Sequence, residues 1–318
     1  MLFEIILLFT GFFFLIKGAG WLVDGSSSLA KKYKVSDLAV GLTIVAFGTS
    51  TPELVVNAFA SYQNHHDIVF GNVIGSNNFN IFIILGIAGI IVPLTVHSKT
   101  VWNEIPFSLL AVVILFFLGN DIFTNDTHLL SRFDGFILFF MFGLFLFYVY
   151  KNSSAEILQT EIKHIPLSNK KITAYIVFGL AALVAGGQLV VSNAILIATN
   201  LGVSEQIIGL TIVAAGTSLP ELATSVTAAI KKNNDIAIGN IIGSNIFNIF
   251  SILAISSFIN PLVFEEKFNI DLYLLAGGTL FLFSAMFMGR KRKLDRWEAG
   301  LLLTFYVGYL IYIIQKEL

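Results

Sequence analysis

Glu53 and Glu221 each stand inside a long apolar stretch, one place after a proline, in the matching segments FGTSTPEL (47–54) and AGTSLPEL (215–222). A carboxylate carried into lipid costs several kcal/mol and by default marks an ion or proton pathway. Proline in a helix interior has no N–H to donate, and its ring clashes with the carbonyl four residues earlier. Pro52 is therefore expected to release the carbonyl of Gly48, and Pro220 that of Gly216. Those glycines let the backbone bend and approach an ion closely. Thr49 and Ser50 precede Glu53 by four and three residues and so share a helix face with it, as Thr217 and Ser218 do with Glu221. Farther along, GNVIGSNNFNIF (71–82) and GNIIGSNIFNIF (239–250) place Ser76 four before Asn80 and Ser244 four before Asn248. Carboxylates, hydroxyls, amides and freed carbonyls form an all-oxygen set. Hard cations want such a set; Ca²⁺ takes about six to eight oxygens at ~2.3–2.6 Å. The chain has no cysteine and no intramembrane histidine cluster, which disfavours soft-metal transport.

Each of these residues also has a plainer explanation. The two glutamates could be neutral, hydrogen-bonded packing groups, and the serines and asparagines could be interhelical glue. Duplication with the same Thr, Ser and Pro neighbours favours function for the glutamates. Gly41, Gly71, Gly75, Gly209, Gly239 and Gly243 read as close-packing positions. Asn77 and Asn245 adjoin the ligand candidates on a different helix face and are expected to support them. His65, His66 and Asp67 read as a solvated loop, and Asp24, Glu104 and Asp271 as solvated positions near span ends.

The elements that must hold these residues are membrane helices. Of 318 residues 56% are hydrophobic and only 12% charged, about half the charged share of a soluble domain. The apolar runs predict an all-α polytopic membrane protein of ten helices, near 2–29, 36–61, 68–91, 101–119, 134–151, 172–199, 205–230, 235–259, 271–289 and 296–315. The N-terminal run lacks a basic region and a cleavage site, so it reads as the first span rather than a signal peptide. Without cysteine, disulfides and thiolate metal sites are excluded. No nucleophile–base pair or zinc motif suggests an enzyme, and a channel would more naturally show oligomeric pore rings. The surroundings are the lipid bilayer; no nucleic acid, cofactor or obligate protein partner is implied.

The two motifs lie 168 residues apart without a gap, and 25 of the 42 positions in 41–82 and 209–250 are identical. That offset covers five predicted helices, an odd number, so the second copy enters the membrane from the opposite side. The expected organisation is a five-helix repeat over 1–151, a polar cytoplasmic linker over 152–171 containing Pro166, and an inverted five-helix repeat over 172–318. Loops carrying Lys31, Lys32, Lys34, Lys151, Lys170, Lys171, Lys231, Lys232 and 290–293 fall on one side, which the positive-inside rule makes cytoplasmic, with both termini outside. An inverted pair is a transporter architecture, with its site near the midplane between the halves. Two ionised glutamates there carry about −2, which one Ca²⁺, two or more Na⁺, or protons neutralise. Easy reorientation when neutralised and slow reorientation when empty gives exchange rather than leak.

The doubled G-T-S-x-P-E-L and G-N-x-I-G-S-N-x-F-N-I segments are similar to the alpha repeats of the cation/Ca²⁺ exchanger superfamily, most closely its prokaryotic sodium/calcium exchanger branch. The resemblance implies a Na⁺/Ca²⁺ antiporter in a prokaryotic plasma membrane, with four ion sites among the second, third, seventh and eighth helices. It implies that Glu53 and Glu221 are the carboxylates shared by Ca²⁺ and Na⁺, with the backbone carbonyls of Thr49 and Thr217 completing the Ca²⁺ shell. Ser50, Ser76, Ser218 and Ser244, with the carbonyls of Ala46 and Ala214, would line flanking Na⁺ sites, and Asn80 and Asn248 would sit at the centre. Some members carry aspartate at the position of Asn248, including potassium-dependent ones, so K⁺ cotransport is not expected here. The long first and sixth helices would slide to alternate access, with Gly18-Ala19-Gly20 and Gly186-Gly187 at the sliding surface. A proton/calcium antiporter of the same fold is the alternative, although its Gly-Asn-x-x-Glu pattern is absent at 48–53 and 216–221. A cation channel is a more distant one.

Overall fold

Lipid offers no hydrogen bonds to backbone N–H and C=O groups, so long apolar runs are stable there as helices that satisfy themselves. The structure, a computed structural model, describes residues 2–97, 100–121, 128–153, 167–201, 214–288 and 292–317. Its principal helices are α1 (Leu2–Tyr33), α2 (Asp37–Thr49), α3 (Thr51–Tyr62), α4 (His66–Ile91), α5 (Thr100–Gly119), α6 (Arg132–Asn152), α7 (Asn169–Asn200), α8 (Leu219–Ile230), α9 (Asn234–Ile259), α10 (Phe268–Ala285) and α11 (Arg296–Glu317). Among the described residues seven of these are each long and apolar enough to cross a membrane, and the bent pair α2–α3 makes an eighth. The expected 205–230 span is described only from residue 214, and Gly209 and Pro166 lie outside the described residues. α11 has 22 residues, but Arg296 and Glu298 open it and Lys316 and Glu317 close it.

The chain forms two compact units, each drawing on both halves of the sequence. Unit one comprises Met1–Thr49 and Phe145–Gly243; unit two comprises Ser50–Leu144 and Ser244–Leu318.

In unit one, α1 and α7 run antiparallel in close contact. Gly11 meets Gly186 and Gly18 meets Gly179, so a seven-residue spacing in one helix faces the same spacing in the other, and Gly25 meets Tyr175 and Ile176. A Cβ on Gly18 would stand 2.8 Å from the Gly179 carbonyl oxygen, and one on Gly186 2.8 Å from that of Gly11. Gly20 and Gly187 make no such approach; the nearest atom to a Cβ there is 3.8 Å away. α2 crosses the first part of α9 at Gly41, Gly239 and Gly243, as their packing role predicts, whereas nothing lies within 4 Å of a Cβ on Gly75. The basic loops of unit one converge. Lys32 Nζ donates to Asn169 Oδ1, Ser36 N to Ser153 O (2.8 Å), Asn233 Nδ2 to Asp37 Oδ2 (3.0 Å), and Lys231 Nζ to Asp24 Oδ1 (2.6 Å).

Unit two packs α4, α5, α10, α11 and the last part of α9 around aromatic contacts such as Phe70–Phe264 (5.1 Å) and Phe82–Tyr306 (5.8 Å). Two minimal antiparallel ladders tie its loops, Leu94–Thr95 with Lys293–Leu294 and Leu129–Leu130 with Leu262–Val263. Glu104 corrects an expectation: it is buried, at the end of the π-helical stretch Thr100–Glu104, rather than solvated. Asp67 is paired with Lys267 at 2.8 Å. Among the described residues no group of three or more His, Cys, Asp or Glu could hold a metal, so His65 and His66 form no such cluster.

Candidate cation site

The helix break comes first, because it sets everything beside it. α2 stops at Thr49, α3 starts at Thr51, and the two are bent by 48°. Ser50 at the junction has φ −84° and ψ 8°, and Ser218 ahead of α8 has φ −87° and ψ 6°. Two sequence copies thus reach the same backbone conformation. Pro52 and Pro220 fall in the first turn of the helix that follows, where the missing N–H leaves no hydrogen bond unmade. The expected mid-helix carbonyl release is therefore better described as a restart. Its consequence was not foreseen: Glu53 and Glu221 both lie in a first helical turn, where the positive end of the macrodipole favours an anion.

Unit one holds Ala46, Thr49, Ser218 and Glu221, all buried, with Thr217 half-buried and Ala214 opening the one-turn helix Ala214–Gly216. Asn240, fully buried, joins the two motifs. Thr49 Oγ1 donates to Asn240 Oδ1 (3.0 Å), while Asn240 Nδ2 donates to Ser225 Oγ (2.9 Å) and to the Glu221 carbonyl (3.4 Å). Sequence reasoning missed Asn240 and Ser225; the available signal was the repeated Gly-Asn at 71–72 and 239–240.

Unit two holds Ser50, Glu53, Ser76, Asn80, Ser244 and Asn248, all buried. Asn57, one turn beyond Glu53, donates Nδ2 to the Glu53 carbonyl at 2.8 Å. Four asparagines link α4 and α9. Asn80 Nδ2 donates to Asn245 Oδ1 and Asn248 Nδ2 to Asn77 Oδ1, both at 2.9 Å. Asn77 Nδ2 donates to the Asn245 carbonyl (3.1 Å), and Asn245 Nδ2 to that of Asn77 (3.3 Å). Asn80 and Asn248 each begin a π-helical stretch, Asn80–Ile84 and Asn248–Ile252, a local widening that recurs at functional sites.

The interhelical-glue explanation thus accounts for the Nδ2 ends of Asn80 and Asn248 but not for their oxygens. Asn80 Oδ1, Asn248 Oδ1, Ser76 Oγ and Ser244 Oγ are buried and have no hydrogen-bond partner among the described residues. A polar group so placed costs about 1–3 kcal/mol. Four such oxygens, two of them amide oxygens whose NH₂ ends are already engaged, have the chemistry of ligands to a hard cation.

Comparison with known proteins shows the family. A family model described as sodium/calcium exchanger protein matches residues 3–151 and 171–315. A putative antiporter, CaxA, of Alkalimonas amylolytica is 37% identical over 315 residues, covering 97% of this chain and 98% of its own. The sodium/calcium exchanger MaX1 of Methanosarcina acetivorans is 32% identical, with 96% and 97% covered. Among solved structures, the sodium-calcium exchanger NCX_Mj soaked without Na⁺ and Ca²⁺ matches with a TM-score of 0.83 at 32% identity over 98% of both chains. The same exchanger soaked with 2.5 mM Na⁺ and 0.1 mM Ca²⁺ matches at 0.81 and 33% identity, over 96% and 97%. On doubled motifs, helical membrane fold and these matches together, the chain belongs to the sodium/calcium exchanger protein family, a cation/Ca²⁺ exchanger with prokaryotic exchangers among its relatives.

Proposed function

We propose that the protein is a Na⁺/Ca²⁺ antiporter working by alternating access in a prokaryotic plasma membrane. The observation that carries this is the set of four buried, unpartnered oxygens on Ser76, Asn80, Ser244 and Asn248. In this proposal Glu53 and Glu221 are the two carboxylates of one cation site, and the Thr49 and Thr217 carbonyls complete the Ca²⁺ shell. Ser50, Ser76, Ser218 and Ser244 take Na⁺ together with the carbonyls of Ala46 and Ala214, and Asn80 and Asn248 lie at the centre. Ca²⁺ and Na⁺ are substrates, and no cofactor enters the cycle.

The same proposal takes the chain as two inverted five-helix repeats, 1–151 and 172–318, joined by the 152–171 linker, with α8 and α11 completing ten spans. Two observations support it. α1 and α7 are mates at the 168-residue offset, Gly11 with Gly179 and Gly18 with Gly186, and these mates pack antiparallel. The loops bearing Lys31, Lys32, Lys151, Lys170, Lys171, Lys231 and Lys232 meet at one end of unit one, which suits a cytoplasmic face and outside termini.

Exchange requires that Na⁺ and Ca²⁺ exclude one another. Radiolabelled Ca²⁺ bound to the purified protein in equilibrium dialysis is expected to be displaced by Na⁺ more steeply than in first power, because one Na⁺ cannot balance two carboxylates. K⁺ at equal ionic strength leaves it bound. Ca²⁺ binding indifferent to Na⁺ but lost on acidification would install the proton as counter-ion instead.

A further inference from the structure

A primary amide is nearly symmetric in shape and opposite in polarity at its two ends. Which end of Asn80 or Asn248 faces a cation therefore decides between attraction and repulsion. The hydrogen-bond network sets that choice, and in unit two the network is anchored to groups that cannot turn. Asn77 Nδ2 is committed to the backbone carbonyl of Asn245, and Asn245 Nδ2 to that of Asn77. Turning Asn77 over would set its oxygen against a carbonyl oxygen and its NH₂ against that of Asn248. With Asn77 and Asn245 held, their oxygens accept from Asn248 and Asn80 and leave Oδ1 of both without a donor among the described residues. Each repeat thus orients the central amide of the other.

We propose that Asn77 and Asn245 are positioning residues that fix the polarity of the cation site, forcing Asn248 and Asn80 to present oxygen. This deepens the cation-site proposal and rests on it. Neither residue touches the ion; each acts through the amide that it holds.

The test is a double-mutant cycle on Ca²⁺ binding to the purified protein, with no gradient present. Asn77→Ala lets the Asn248 amide turn and is expected to weaken Ca²⁺ binding about tenfold, within the usual coupling of directly bonded groups. Asn248→Asp offers an acceptor at both ends. In the wild-type background it sets a carboxylate oxygen against Asn77 Oδ1 and weakens binding. In the Asn77→Ala background that opposition is gone, oxygen is presented whichever way the group turns, and the same substitution strengthens binding at least about threefold. The mirror cycle, Asn245→Ala with Asn80→Asp, behaves alike and stands in should one variant fail to fold. A packing role would lower the melting temperature and leave Asn248→Asp with one factor in both backgrounds; that result overturns the proposal. Reversal of sign with Ca²⁺ uptake driven by protons alone keeps the proposal and removes Na⁺ exchange. Na⁺-driven uptake with an additive cycle does the opposite.

Discussion

Glu53→Gln and Glu221→Gln each lower Na⁺-driven Ca²⁺ uptake by at least about a hundredfold in proteoliposomes carrying equal amounts of folded protein. Glutamine keeps the shape and one oxygen of the side chain, so the loss reports charge. Removing one partner of a desolvated ion pair, here carboxylate and cation, costs about 3–5 kcal/mol, or roughly two to four orders of magnitude in binding. Both residues are buried in first helical turns, so water cannot make good the missing charge. With one carboxylate left, Ca²⁺ overcompensates the site, and the bound state keeps a net charge that slows its passage through the low-dielectric interior. The two variants should be about equally impaired, because the two segments share sequence and backbone conformation. Uptake near the wild-type rate in either would remove that glutamate from the site.

Asn240→Leu produces the second large effect, on stability as well as transport. Leucine has a similar volume but cannot bond Thr49, Ser225 or the Glu221 carbonyl. The Thr49 hydroxyl can fall back on the Ala46 carbonyl at 3.4 Å, while the other two groups lose a buried partner. At about 1–3 kcal/mol for each buried group stranded, the loss is roughly 2–6 kcal/mol, read as a lower melting temperature in detergent. Because Asn240 carries the link from Thr49 to Glu221 within unit one, half-saturating Ca²⁺ should rise about tenfold as well. Asn72, its mate at the 168-residue offset, is only half-buried, so Asn72→Leu should do less. A wild-type melt and wild-type Ca²⁺ dependence for Asn240→Leu would show that the bridge matters to neither.

The helical membrane fold was legible because apolar runs of spanning length admit few alternatives. The ligand candidates were legible because 25 identities in 42 positions sit in one register. What escaped depends on partners distant in sequence. Asn240 finds Thr49 from 191 residues away, and nothing in a local window announces that bond. Pro52 and Pro220 were visible as breakers, but whether a proline kinks one helix or opens another depends on the conformation of Ser50 and Ser218. The π-helical stretches at Asn80 and Asn248 have no local sequence mark. Gly11 and Gly179 escaped notice because their seven-residue spacing to Gly18 and Gly186 has meaning only once α1 and α7 face each other. Glu104 misled for the converse reason, since closeness to a span end says little about what covers a side chain.

The most direct measurement is uptake of radiolabelled Ca²⁺ into proteoliposomes of the wild-type protein under three conditions: an outward Na⁺ gradient, an outward proton gradient, and none. Na⁺/Ca²⁺ antiport predicts fast uptake in the first condition only, collapsing when Na⁺ is equal on both sides. Uptake that follows the proton gradient and ignores Na⁺, or that proceeds with no countergradient at all, would contradict it.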